Sequence, residues 1–112
     1  MVTDTTQDRS LDDALDALAD RQRRVLLLAL LESNPQEDDL VASKTDGGTD
    51  EGDEIDLLVR MHHVHLPKLE DYGFVEWDRD AGEVTRGPRF EEVAPLLELL
   101  DDHREELPSD WL

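Results

Sequence analysis

Three histidines, His62, His63 and His65, crowd the stretch HHVHLPKLEDYGFVEWD, with Arg60 just before it and Lys68 inside it. Imidazoles grouped in this way can ligate a metal, carry protons or donate to a nucleic acid. His62 and His65 are three apart, a spacing that puts them on one face of a helix. Two imidazoles do not complete a tetrahedral site, and the chain has no cysteine, so Glu70 or His103 would have to supply the remaining ligands. The other reading leaves both rings partly buried and hydrogen-bonded under the helix, free to titrate near neutrality. Metal and cofactor are therefore not expected. Catalysis is not expected either. Thirty carboxylates make accidental acid pairs inevitable, and the chain has no HExxH, nucleophile elbow or Gly-rich phosphate cradle. The acidic DGGTDEGD lacks the ligand alternation of a calcium loop.

Charge narrows the field further. The 112 residues hold 30 acids against 11 lysines and arginines, a net charge of −19. That is far beyond the roughly 2 to 8 of an ordinary small domain, and self-repulsion of this size works against compaction. Molar salt shortens the Debye length to about 3 Å and removes most of the penalty, so the composition suits a halophilic cytoplasm. The imbalance is uneven. Residues 54–90 carry eight acids and five bases, the least negative third of the chain, and hold three of its four histidines. No apolar run suggests a signal peptide or a membrane span, and VLLLALL is too short to cross a bilayer. A cytoplasmic protein without membrane partners is expected.

The elements that must position these residues can be read from periodicity. Residues 1–9 are expected to be a disordered tail and 10–107 one domain. Ser10 can cap a first helix with the stripe Leu11, Ala14, Leu15 and Leu18, and Asp20 can cap a second, RQRRVLLLALLE, which ends at Ser33-Asn34-Pro35. A weak third helix around Leu40–Ala42 and a flexible acidic loop over 46–53 follow. From Glu54 to Tyr72 the period predicts a long helix with Ile55, Leu58, His62, His65 and Leu69 inward and Arg60, His63 and Val64 outward. Pro67 should kink or break it, and Gly73 should end it in a left-handed conformation. FVEWD and EVTRG around RDAG predict a hairpin over 74–87, with Val75, Trp77 and Val84 facing the helices and Gly82 in the turn. A last helix over about 92–107, with Pro95 in its first turn, carries more leucine than one face needs. Leu96, Leu97, Leu100 and Leu107 are the expected dimerisation residues, before a tail at 108–112 that includes Trp111.

The expected class is mainly α with a small β-hairpin, in the order of a winged helix-turn-helix. HLPKLEDYGFVEWD resembles the junction of recognition helix and wing in ArsR-like winged-helix regulators. LADRQRRVLLLALLE, HHVHLPKLEDYGFVEWDRDAGEV and TRGP together are similar to a group of small haloarchaeal winged-helix proteins, over about residues 11–100. The resemblance implies that Leu66 and Leu69 are core residues of the recognition helix, that Phe74 and Val75 open the wing, and that Arg60, His63 and Val64 meet bases. It implies a transcriptional regulator, a homodimer on double-stranded DNA. The departures are Pro67 inside the helix, the weak preceding helix and the stretched DGGTDEGD turn. Metal sensing does not carry over without cysteines.

On this reading Arg60 can pair bidentately with guanine and His63 can donate to a base edge or phosphate. Lys68 and Arg86 are phosphate candidates, Arg79 at the wing turn reaches phosphate or minor groove, and Arg89 follows the second strand. Arg21, Arg23 and Arg24 open the second helix, where a phosphate can meet exposed amides. The competing function is a protein-interaction module on the same scaffold, a dimer or a dock for the transcription machinery that never touches DNA.

Overall fold

The computed structural model describes residues 10–38, 51–109 and 111–112. The tail at 1–9, the third helix around Leu40 and the first part of the acidic loop lie outside the described residues. Helix α1 (Ser10–Ala17) carries Asp12 and Asp13 in its first turn, where the helix dipole favours acids. Two turn residues later Asp20 caps α2 (Arg21–Glu32), its Oδ1 accepting from the backbone N–H of Gln22 at 2.8 Å and of Arg23 at 3.3 Å.

The ends of these helices explain where the arginines go. The last carbonyls of a helix have no internal partner and carry partial negative charge. Arg23 donates from Nε to the Ala17 carbonyl and from Nη2 to that of Asp16, while Arg24 donates from Nη1 to the Leu18 carbonyl. Both cap the end of α1. Arg86, far away in sequence, caps α2 through the carbonyls of Leu30 at 2.8 Å and Leu31 at 3.0 Å.

Strand β1 (Gln36–Glu37) follows α2, a strand the periodicity does not predict. Two polar residues are too few to show a period of two, and β1 exists only because β3 offers it a free edge. The sheet is antiparallel in the order β1-β3-β2, with β2 at Val75–Asp78 and β3 at Glu83–Arg86. Gln36 pairs with Val84 on one side of β3, and Trp77 pairs with Val84 on the other. The small hairpin is thus part of a three-stranded sheet. Its turn closes on Gly82 at φ 68°.

Between β1 and β2 runs the long helix, starting at Glu51 and so taking in three residues expected in the loop. It is three segments in series: α3 (Glu51–Arg60), a π turn (Met61–His65) and α4 (Leu66–Tyr72). The Leu66 N–H donates to the Met61 carbonyl, five residues back, and Pro67 then sits in the first turn of α4, where its missing N–H costs least. The expected break at Pro67 is therefore a widened turn just before it. A wider turn takes one residue more per revolution, so every residue upstream is rotated about the axis. Met61, which a straight helix would place to one side, is 2% exposed, and Ile55, expected inward, is 58% exposed. Gly73, at φ 84°, ends α4, and Phe74 N–H reaches back to the Leu69 carbonyl.

Helix α5 (Phe90–Asp102) begins two residues earlier than expected, with Glu91 and Glu92 in its favourable first turn, and stops before a 3-10 turn at Arg104–Glu106. Pro95 consequently lies inside the helix. The core gathers Leu26, Leu27 and Leu30 of α2, Leu66 and Leu69 of α4, Phe74, Val75 and Val84 of the sheet region, and Val93 and Leu97 of α5. Leu97 is fully buried within its own chain, which withdraws it from the dimerisation set. Leu96, Leu100 and Leu107 are half-buried, and Leu96 and Leu100 pack against the same core. The expected tail also packs back. Arg24 Nε donates to the Trp111 carbonyl at 2.7 Å, and Trp111 and Leu112 rest against the core.

Candidate nucleic-acid interface

Arg60, His63 and Val64 all face solvent, on the last residue of α3 and in the π turn. Among the described residues neither Arg60 nor His63 has a hydrogen-bond or ion-pair partner. Two further apolar side chains of α3, Ile55 and Val59, are exposed as well, and with Val64 they make this helix apolar as well as basic outside. Val64 is outward on a straight helix as well, whereas Ile55, expected inward, is exposed where the π turn has rotated the upstream residues.

The other expected contacts are already engaged. Lys68 Nζ lies 2.9 Å from Asp16 Oδ2 and 5.4 Å from the centre of the Tyr72 ring. The Tyr72 hydroxyl donates to the same carboxylate, and these two contacts hold Asp16 below the usual carboxylate range. Arg86 is held by the α2 carbonyls and lies 5.4 Å from the centre of the Phe90 ring. Arg89 donates to the Tyr72 carbonyl at the end of α4, to Glu92 and to Asp13. The amides at the start of α2 belong to Asp20, and Arg23 and Arg24 are turned to α1, so the expected phosphate site there is occupied by the protein's own groups. Their roles as helix caps leave little trace in the sequence, since Arg86 meets residues more than fifty positions away.

The hairpin differs from the helix. Arg79 leaves the turn but folds over the Trp77 ring at 4.1 Å. Trp77 Nε1 donates to Asp38 Oδ2 at 3.1 Å, and the His62 ring lies 5.1 Å from the Trp77 ring. Around the indole runs an open cleft lined by Glu70, Glu76, Asp78, Asp80 and Glu83, with Arg79 its one base. The face that would approach a phosphate backbone is therefore acidic.

His62 and His65 do not converge. His62 Nε2 is 3.6 Å from Asp38 beside the hairpin, whereas His65 Nε2 is 3.6 Å from Asp20 at the start of α2 and its Nδ1 is 3.0 Å from Arg23. No group of three or more metal-ligating side chains forms among the described residues. No helix among them is long and apolar enough to cross a membrane.

No curated protein matches the chain, and no solved structure does. One family model matches, over residues 15–85, which run from the end of α1 into β3 and contain Arg60, His63, Val64, Lys68 and Arg79 but not Arg86 or α5. The chain belongs to that family, described as Domain of unknown function (DUF7344).

Proposed function

We propose that this protein is a DNA-binding transcriptional regulator of a salt-adapted cell, built as a winged helix-turn-helix and reading duplex DNA with the helix at 51–72. The observation that carries the reading is the pairing of an outward Arg60 and His63 with the order of elements around them. A helix leads into a short strand, a long exposed helix leads directly into a hairpin, and the first strand joins the hairpin's second strand. That succession agrees with the order of a winged helix apart from the helix expected around Leu40, which lies outside the described residues, and the resemblance to ArsR-like regulators supports the reading.

In this mechanism Arg60 makes a bidentate contact with guanine O6 and N7, His63 donates to a base edge or phosphate, and Val64 meets a thymine methyl. Phosphate contacts are few, because Lys68, Arg86 and Arg89 serve the fold. With about two phosphates neutralised, a tenfold rise in salt costs slightly under two decades of affinity, against three to four for four contacts. A reader with few phosphate contacts keeps more of its affinity at molar salt. Two copies would face successive major grooves about 34–36 Å apart. Leu11 and Leu15 of α1 and Leu99 of α5 are exposed on helices that pack together, and these replace Leu97 as dimer contacts beside Leu96, Leu100 and Leu107.

A second reading is favoured by the acidic wing cleft together with the exposed Ile55, Val59 and Val64. Here the same helix docks onto a protein, such as a component of the transcription machinery, and no DNA is bound. Selection of bound fragments from a genomic library at 2 M KCl separates the two. Enrichment of discrete sites supports the regulator; no retained fragment supports the interaction module.

A further inference from the structure

We propose that the buried contact between His65 and Arg23 is a proton-operated joint: the neutral imidazole docks the helix at 61–72 onto the corner between α1 and α2, and a second proton on the ring releases it. Both side chains are almost completely enclosed, His65 at 5% and Arg23 at 7% exposure. Arg23 is a guanidinium with five donors and no acceptor, and it keeps its proton throughout the accessible pH range. Two of its nitrogens are committed to the carbonyls of Ala17 and Asp16, and the third, Nη1, points at His65 Nδ1 from 3.0 Å. A donor facing Nδ1 fixes the tautomer. Nδ1 must accept, so the single ring proton sits on Nε2, directed toward Asp20 Oδ1.

The next proton can go only to Nδ1, where it meets an N–H. Protonation would thus replace a hydrogen bond by two donors and two positive charges in an enclosed site. The charged groups around the ring decide the sign. Asp20 at the start of α2 favours the imidazolium, but its Oδ1 already serves the amides of Gln22 and Arg23. Arg23 from α2 and Arg60 on the same helix oppose it. Asp16 on α1 is turned to Tyr72 and Lys68. Burial, the largest influence, and the two arginines outweigh Asp20 and hold the imidazolium below the ordinary histidine range.

The backbone at this point makes the joint a place that can open. His65 closes the π turn, Leu66 bonds back to Met61 in the wide register, and Pro67 donates nothing. The wide register and the proline interrupt the α-helical ladder here, and the contact of His65 with Arg23 ties this interruption to the corner of α1 and α2. For a histidine whose folded pKa lies below its unfolded value, the stabilisation is full above about pH 6.5 and is lost as pH falls toward the folded value. The inference concerns docking of the helix and stands whether that helix meets DNA or protein.

The test is amide hydrogen exchange at 2 M KCl, corrected for intrinsic rate, from pH 7.5 to 5.5. Wild type should lose protection over 61–72 by up to about tenfold per pH unit, with α2 and the sheet less affected. His65→Gln, whose amide oxygen can still accept from Arg23 but cannot be protonated there, should be flat, and His62→Gln should keep the wild-type slope. A wild-type profile without slope, or a His65→Gln profile that keeps it, overturns the proposal. If His65→Gln does not fold, the ring nitrogens of wild-type His65 give the answer by NMR. Nδ1 should be bare at pH 7.5, and the ring should titrate below the ordinary histidine range. A proton on Nδ1 at that pH, or titration in the ordinary range without loss of protection, contradicts it.

Discussion

The long helix and the hairpin that follows it are adjacent in the chain, yet they turn opposite chemistry to solvent. The helix shows Arg60, His63 and three apolar side chains; the hairpin shows a ring of carboxylates around Trp77, with the one arginine of that cleft, Arg79, folded onto the indole. The difference follows from how a chain with few cations uses them. Arg23 and Arg24 close the end of α1, Arg86 closes α2 and Arg89 closes α4, each meeting carbonyls that would otherwise lack partners. Much of the positive charge close to the hairpin is thus consumed by helix ends. The hairpin acts as a brace, and on the proposed reading contact with DNA falls to the long helix.

Changes on the brace should therefore cost stability, and the largest effect is expected at its hinge. Gly87 hands its N–H to the Phe74 carbonyl, and a Cβ there would lie 2.5 Å from the Gly73 oxygen and 2.8 Å from the Val75 nitrogen. These are backbone atoms that cannot move aside singly. Gly87→Ala should destabilise by about 3 kcal/mol in denaturant unfolding, and a change below about 0.5 kcal/mol would show that the junction of helix and wing is looser than described. Next is Arg86→Ala, which uncaps α2 and should cost about 1–2 kcal/mol, with DNA retention per folded molecule unchanged. Retention that falls with Arg86 would make the wing a reader after all.

Smaller effects sharpen the contrast in charge. Glu76→Gln with Glu83→Gln removes two carboxylates from the wing cleft. It should raise DNA affinity a few-fold, about 0.5 kcal/mol per charge, at 0.1 M salt and by much less at 2 M, where exposed charges are screened. An equal gain at both salts would point to direct contact. The smallest effect is expected at the tie between α1 and α4. The Tyr72 hydroxyl, first, and Lys68 hold the Asp16 carboxyl low, so its contribution is present above the unfolded value near 3.8 and is lost as pH falls through the lowered folded value. Asp16→Asn should flatten the acid limb of the unfolding midpoint between pH 5 and 2.5. An unchanged limb would place the acid sensitivity elsewhere.

Much of this architecture is written locally. Asp20 as a cap, Gly73 as a helix stop, Gly82 in the turn, and Val75 and Val84 on the inner side of the hairpin all follow from the residue and its immediate neighbours. What was not legible depends on partners distant in sequence or on a change of helical pitch. Strand β1 has two polar residues and is defined by β3. Pro67 announces a disturbance, but not that the turn before it widens and exchanges Met61 for Ile55 in the core. The same limit applies to the site. Exposure of Arg60 and His63 follows from the wheel, whereas the engagement of Lys68, Arg86 and Arg89 comes only when the chain folds back on itself. Leu97 resembled its neighbours in sequence and differs from them only in the depth at which α5 packs.

The most direct test of helix reading is retention of selected duplex DNA at 2 M KCl by wild type and by Arg60→Ala, with folding and oligomeric state checked in parallel. Loss of a bidentate base contact should weaken binding by about 1–3 kcal/mol, roughly 5- to 150-fold, and relax the preference at a single guanine. Equal retention by both proteins, with the same sequence preference, would contradict the account.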